Sequence, residues 1–431
     1  MGDTTDFNMT RMIGIFNLAR LQGLHLIGVF LCLSIIIIPT ARVFLYPSVE
    51  HSLQPFLFYT LISLVEILFI VIFIIERKRK SYPLNHLPNS LWIAFFIWAA
   101  AAVFNLPEQI NGTFVTLIFS IHFFFFVALS SYLRCQPEAG RKLIASLILS
   151  ILLFLPFFWL RLQATYDQQD FNWVWGLPGF SNVRHLDYFL GSIITLLGLL
   201  PLTNIKQKTQ KTFAYLTFSL LLALWVMLLW SGGRGSAVAA VASIGTLLIF
   251  FRPAAWKQLL LFNFTALVLG ALLSLLLPIP DSSYGLFRFA SKMDTVQNFT
   301  AGRSVIWAEA INVWTQNLWF GVGAGQTKTI IKAAAHTFGQ PHNIFIQAML
   351  AWGLIGGLPF LAGIFGIFWI KGKEFYYAVE QRDMISFIAY GVALSIVVNA
   401  LVDGTLYYPF PLFIFTIAVS IAGIKRDKSI L

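Results

Sequence analysis

The sequence predicts an all-α, polytopic bundle of about twelve transmembrane helices with a long helical loop outside the membrane. Three observations carry that prediction. Hydrophobic residues make up 58% of the chain and charged residues 11%, whereas a soluble domain carries about 25% charged residues. The mean hydropathy is +0.78, and apolar runs of roughly 20 residues, enough to cross ~30 Å of hydrocarbon as helix, recur along the chain. The runs are continuous rather than alternating, which selects helices and excludes a β-barrel.

Spanning helices are expected near residues 24–45, 55–75, 88–105, 113–133, 143–162, 187–203, 213–230, 236–251, 258–280, 345–370, 383–402 and 410–424. The first run is too long for a signal-peptide core and lacks a small-residue cleavage pattern, so it is expected to remain as a helix. Cys32 and Cys135 offer neither a metal-ligand spacing nor a disulfide pair. The net charge of +11 is a matter of topology rather than of nucleic-acid binding, because membrane proteins place Lys and Arg in cytoplasmic loops.

The helix order puts Arg11, Arg20, Arg77-Lys78-Arg79-Lys80, Arg134/Arg141/Lys142, Lys206/Lys208/Lys211, Arg252/Lys257, Lys371/Lys373/Arg382 and Lys425/Arg426/Lys428 on one side. That side is expected to be the cytoplasm, with both termini on it. Nine basic residues fall elsewhere: Arg42, Arg161, Arg184, Arg234, Arg288, Lys292, Arg303, Lys328 and Lys332. Interfacial snorkelling accounts for Arg42 and Lys332 as readily as function does. The neighbours of Arg234 and Arg303 argue otherwise.

The connection from Asp281 to Pro341 is far longer than the usual ~4–6 residues. Its stretch Val305-Ile306-Trp307, Ala310-Ile311, Val313-Trp314 fits an amphipathic helix packing back on the bundle. The chain therefore divides into helices one to nine (1–280), an extracytoplasmic loop (281–344) and helices ten to twelve (345–431).

Three segments put an anion ligand or a proton acceptor at a helix start. In Ser231-Gly232-Gly233-Arg234-Gly235-Ser236 the glycines permit a tight turn, with Ser236 expected as the cap. In Thr300-Ala301-Gly302-Arg303 a Thr300 cap places Arg303 in the first turn, where a cation opposes the macrodipole unless an anion binds there. The bland alternative pairs Arg303 with Asp294 or Glu309. In Gln340-Pro341-His342-Asn343, Pro341 suits a first helical position, and a helix N-terminus lowers an imidazole pKa, keeping His342 neutral as a proton acceptor. His25, His51 and His336 are read as incidental. No Asp-x-Asp pair, Walker loop, Gly-x-Ser-x-Gly elbow or His-Glu-x-x-His occurs, so metal-assisted, ATP-driven and serine-hydrolase chemistry lose support; no metal and no cofactor is expected.

With Gly302-Arg303, Trp307, Gly321-Val322-Gly323-Ala324-Gly325, and His342-Asn343 followed by Gln347 and Gly353-Leu354-Ile355-Gly356, the chain resembles the bacterial O-antigen ligase and polymerase superfamily. Ser231, Arg234-Gly235 and the stretch Gly179-Phe180-Ser181-Asn182-Val183-Arg184-His185 are similar to its ligase branch. An acidic residue common just before the Gly-x-x-Gly end is absent, Ala351 and Trp352 standing there; Asp403, in Val402-Asp403-Gly404-Thr405-Leu406-Tyr407-Tyr408, is the substitute candidate.

The resemblance implies a metal-independent glycosyltransferase in the inner membrane, its site facing the periplasm. The implied donor is a glycan on undecaprenyl pyrophosphate and the acceptor a hydroxyl of lipid A-core oligosaccharide; nucleic acid is not a partner. His342, Arg303 and Arg234 are the candidate catalytic residues. Arg161, Arg184, His185, Asn343, Asp403 and Tyr407 are the candidate substrate-binding residues. Because the sequence ends at Leu431 soon after its last helix, ligase ranks before polymerase, and both before a protein O-oligosaccharyltransferase. A twelve-helix secondary transporter is the rival from another class. It would need ionisable groups at mid-membrane, where Glu66 is the clear exception in otherwise uncharged segments.

Overall fold

The computed structural model describes residues 6–45, 54–80, 84, 87–105, 110–165, 174, 176–180, 182–204, 210–253, 255–277, 285–286, 302–332, 340–380 and 383–422. Parts of the 281–344 loop, with Arg288, Lys292, Asp294, Thr300 and His336, lie outside them, as do Ser181, His51, Lys206, Lys208, Arg382, Lys425, Arg426 and Lys428.

Among the described residues there is no strand. The helices are α1 (Asp6–Leu45), α2 (Gln54–Lys80), α3 (Asn89–Phe104), α4 (Ile110–Cys135), α5 (Ala139–Thr165), α6 (Val183–Leu199), α7 (Gln210–Ser231), α8 (Arg234–Phe251), α9 (Trp256–Ser274), α10 (Arg303–Gln316), α11 (Thr327–Ile330), α12 (Ile344–Glu380), α13 (Met384–Ala400) and α14 (Pro409–Ala422). Each of the expected spans falls on one of them. Eight are long and apolar enough to cross a membrane, and α3, α13 and α14 are shorter apolar helices. The chain is an all-α, multi-pass membrane protein.

Helix α6 is the axis of the bundle: residues 185–199 are buried, with α7, α8 and α13 packed around it. Small residues make that possible. Gly191 faces Ser236 of α8, and the Gly198 carbonyl accepts from Asn263 Nδ2 of α9 at 3.0 Å, the close backbone approach that lipid-embedded helices use in place of a hydrophobic drive.

One end of the bundle gathers the start of α6, the turn between α7 and α8, the end of α13 and the start of α14, through Asn399–Ser236 (2.9 Å) and contacts among Gly233, Asp187 and Ser231. The described basic clusters, Arg77 to Arg79, Arg134, Arg141, Lys142, Arg252, Lys257, Lys371 and Lys373, sit at the opposite helix ends.

Three polar placements depart from expectation. Arg42 is no interfacial snorkeller: it is 1% exposed, with its guanidinium 4.5 Å from the Phe180 ring centroid and 5.0 Å from that of Phe410, stabilised by the negative ring faces. Asp187 is a second buried acid in a spanning helix, accepting from Ser231 Oγ at 2.5 Å. Glu66, fully buried, pairs with His122 of α4 at 2.6 Å, and His122 Nε2 donates to the Pro409 carbonyl at 3.1 Å. With Nε2 donating, Nδ1 and the carboxyl share one proton whichever of them carries it. The pair is then net neutral, which is how ionisable groups persist in hydrocarbon.

The tenth expected span is not one straight helix. At Gly353 the backbone leaves helical values (φ 59°, ψ −159°), and α12 folds back there. A Cβ on Gly357 would lie 2.7 Å from the Ala348 carbonyl oxygen, and the Phe345 and Phe365 rings stack at 5.3 Å. Residues nine apart in a continuous helix are separated by about 13.5 Å along the axis, so residues 344–352 and 354–380 are two arms of a hairpin. Only the second arm is long enough to span. A break leaves carbonyls orphaned on one arm and N–H groups on the other, and the segment 318–323 satisfies both. Leu350 and Ala351 carbonyls accept from Val322 and Gly323 (2.8 and 2.9 Å), while Leu354 and Ile355 N–H groups donate to Leu318 and Trp319 (2.9 and 3.0 Å). Gly321 is obligatory, because its Cβ would lie 2.5 Å from the Leu350 oxygen at a φ of +69°.

Candidate active site

Asp403 is the centre on which the sequence-predicted residues converge. The turn after α13 positions it, with its N–H donating to the Asn399 carbonyl at 2.8 Å and its Oδ1 accepting from the Gly404 N–H at 2.8 Å. Its Oδ1 also faces His342 Nδ1 at 2.6 Å and Arg184 Nη1 at 3.9 Å, and its Oδ2 accepts from Arg303 Nη2 at 2.8 Å. Arg303 Nη1 donates to the neighbouring Val402 carbonyl as well, so the guanidinium is held at two nitrogens. Of the alternatives expected for Arg303, Glu309 accepts from the Lys332 N–H at 2.8 Å, and Asp294 lies outside the described residues.

Each partner is delivered by a helix start. Asn182 caps α6 by accepting from the Arg184 N–H at 2.9 Å, which puts Arg184 in the first turn. Gly302, at φ 79°, precedes Arg303, the first residue of α10. Asn343 caps α12, its Oδ1 accepting from the Phe345 and Ile346 N–H groups (2.9 and 3.2 Å) and its Nδ2 donating to the Leu401 carbonyl at 2.8 Å. Pro341 is therefore not the first helical residue, and His342 stands outside the helix with φ 60°. A left-handed non-glycine residue costs of order 1–3 kcal/mol and persists only where its surroundings over-determine it. Here Trp307 Nε1 donates to the Pro341 carbonyl (2.7 Å) and the His342 N–H donates to Gln340 Oε1 (3.2 Å). Similarly, α8 begins at Arg234 after Gly233, and Ser236 lies inside the helix, accepting from Asn399 rather than capping.

The electrostatics follow from burial and from three charges. Arg303, and after it His342 and Arg184, hold the Asp403 carboxyl well below the usual carboxylate range despite its burial. Burial first, then the Arg184 and Arg303 guanidinium groups, bring His342 down to about 4 against the pull of Asp403. The imidazole is neutral at pH 7, as expected, but through burial rather than through a helix dipole. An ionised Asp403 makes Nδ1 the protonated nitrogen, so the basic lone pair is on Nε2, 3.5 Å from Arg184 Nη1.

Around this centre, His185 lies 4.0 Å from the Tyr408 ring and Tyr407 stands edge-on to Tyr408 at 5.6 Å. Burial pushes the Tyr408 phenol up to about 12, so it remains a donor. A Cβ at Gly235 would be 3.9 Å from Asp403 Oδ2, which places the backbone of Arg234 one residue from the centre. Arg161 is carried by α5, which packs chiefly on α1. The sequence reading missed Gln340, whose amide nitrogen lies 3.2 Å from His342 Nδ1. Its signal was Gly404, where any Cβ would collide with that amide. Among the described residues no three His, Cys, Asp or Glu side chains gather as a metal cluster.

No curated protein matches the chain. The sequence model of the family described as O-antigen ligase matches residues 218–361, a third of the chain, running from α7 to the second arm of α12 and holding Arg234, Arg303 and His342. That match, with the motifs it contains, supports the O-antigen ligase and polymerase superfamily and an O-antigen ligase- or polymerase-type function for this membrane protein.

Proposed function

We propose that the protein is a ligase-type glycosyltransferase that moves a glycan from undecaprenyl pyrophosphate to a hydroxyl of lipid A-core oligosaccharide. The reaction takes place at the periplasmic face of the inner membrane, and both termini are cytoplasmic. The observation that carries this reading is the Asp403–His342 pair ringed by Arg303 and Arg184. It sets a neutral base beside two guanidinium groups at the end of a membrane bundle, the end away from the described basic clusters.

In this mechanism the acceptor O–H gives its proton to His342 Nε2 as its oxygen bonds to the anomeric carbon. The bond from that carbon to the pyrophosphate breaks, its electron pair leaving on the phosphate oxygen. Arg303, Arg184 and Arg234 meet the charge that develops there without reorganising. Asp403 stays ionised, fixes the Nδ1–H tautomer and stabilises the imidazolium. Asn343, Arg161, His185 and Tyr407 are assigned in this reading to substrate binding.

The test uses purified protein in nanodiscs with a lipid-linked glycan donor and lipid A-core acceptor. His342→Ala should lower the single-turnover rate roughly 10²–10⁴-fold while donor binding stays near native. Weakened donor binding with an unchanged rate at saturating donor would remove His342 from the chemistry.

A further inference from the structure

Helix α10 starts at the candidate site and runs across the end of the bundle to α3. Its first residue, Arg303, is bound to Asp403, and the segment that follows it is tied to the end of α3 by Asn105 Nδ2, which donates to the Phe320 and Gly321 carbonyls (2.8 and 3.2 Å). One face, with Ile306 and Ala310, is buried on the first arm of α12. The other faces outward and carries no charge. At 100° per residue, Ser304, Val305, Ala308, Ile311, Asn312 and Thr315 occupy an arc of about 120° without an ionisable group. Val305 is 45% and Ile311 43% exposed.

The outward face continues past the helix into Leu318, Trp319 and Phe320, of which Trp319 is 61% exposed. The Phe320 ring lies 5.0 Å from that of Phe104, which is 76% exposed on the last turn of α3, one of the shorter apolar helices. An outward surface free of ionisable groups that continues, past the exposed Asn312, Thr315, Gln316 and Asn317, into the exposed flank of an apolar helix meets the same medium as that flank. A water-facing helix would carry charge there, and a second protein copy would have to strip lipid from α3 as well.

We propose that α10 is an interfacial helix. Its outward face from Val305 to Ile311, with Trp319 and Phe320, is seated in the boundary between headgroups and acyl chains of the leaflet next to the candidate site. Helices that lie in this plane bury an apolar face ~5–10 Å into that boundary, and exposed Trp residues favour the same depth. The seat has a consequence that rests on the function proposed above: Arg303, on the first turn, stands at the depth of lipid phosphates and meets a pyrophosphate that never leaves the membrane surface.

The experiment is nitroxide accessibility in the full chain, on a background with Cys32 and Cys135 replaced by alanine. Labels go at Val305→Cys, Ala308→Cys and Ile311→Cys, and the protein is reconstituted in vesicles of phosphatidylethanolamine and phosphatidylglycerol. All three labels should collide readily with oxygen and poorly with a water-soluble nickel chelate. High nickel accessibility would overturn the proposal by placing the face in water, and low accessibility to both would overturn it by placing the face under protein. Neither result depends on turnover, so failure here is distinct from failure of the glycosyltransferase reading.

Discussion

Replacing Asp403 by asparagine tests the whole site with one atom. The carboxylate accepts on both oxygens, from His342 Nδ1 at 2.6 Å and from Arg303 Nη2 at 2.8 Å, and an amide can accept on only one. If its nitrogen turns toward Arg303, two donors oppose each other and the guanidinium loses its anchor. If it turns toward His342, the imidazole must accept at Nδ1, so its proton moves to Nε2 and the basic lone pair leaves the substrate side. The first arrangement loses the Arg303 anchor and the second the base, so turnover should fall by roughly 10²–10⁴, about 2.7–5.4 kcal/mol of transition-state stabilisation. The assay is single-turnover glycan transfer in nanodiscs by Asp403→Asn protein matched to native for folded amount. Folded Asp403→Asn protein with a rate within about threefold of native, less than ~0.7 kcal/mol, would refute the reasoning, because it would mean that neither the tautomer nor the Arg303 anchor matters.

The pH dependence has a definite sign. Since the folded His342 titrates near 4 rather than 6.5, the base is lost only as pH falls through about 4, and kcat/KM should hold its plateau down to about pH 5; an acid limb centred near 6.5 would contradict this. The hairpin is tested by Gly353→Ala, which adds a Cβ that collides with the Trp319 backbone at a φ of +59°. Thermal unfolding of the purified variant should show a clearly lowered Tm, and an unchanged Tm would mean that the arms do not depend on this turn.

The spans were legible because continuous apolar runs of helical length leave the backbone few options in lipid. His342, Arg303 and Asp403 were legible because polar residues at helix ends outside the membrane stand out against a chain with so few charges. Their mutual bonding was not. The partner of Arg303 is 100 residues away in sequence, and nothing in local spacing distinguishes Asp403 from the nearer Glu309. The fold-back of α12 escaped for a related reason: hydropathy registers that residues 344–380 are apolar but carries no direction, and Gly353 is one of several glycines there. Glu66 was recognised as the exceptional acid of the spanning segments, yet its partner on α4 has no periodic relation to it. Arg42 was left open between snorkelling and function, because only the tertiary fold brings Phe180 and Phe410 around it.

The stitch between segment 318–323 and the two arms of α12 makes allies of parts that the chain order separates. Arg303 hangs on α10, upstream of the stitch, and His342 precedes the first arm. Trp307 grips the Pro341 carbonyl between them, while the four stitched hydrogen bonds close the far side. Cation and base are thus mounted on a single closed frame rather than on two independent loops, and neither can drift without opening the other's support. A frame of this kind makes the distance between Arg303 and His342 an inherited constant. Divergence in what the protein accepts as substrate would then be confined to the rim, while changes at Gly321 or Gly353, far from any reacting atom, would silence the chemistry outright.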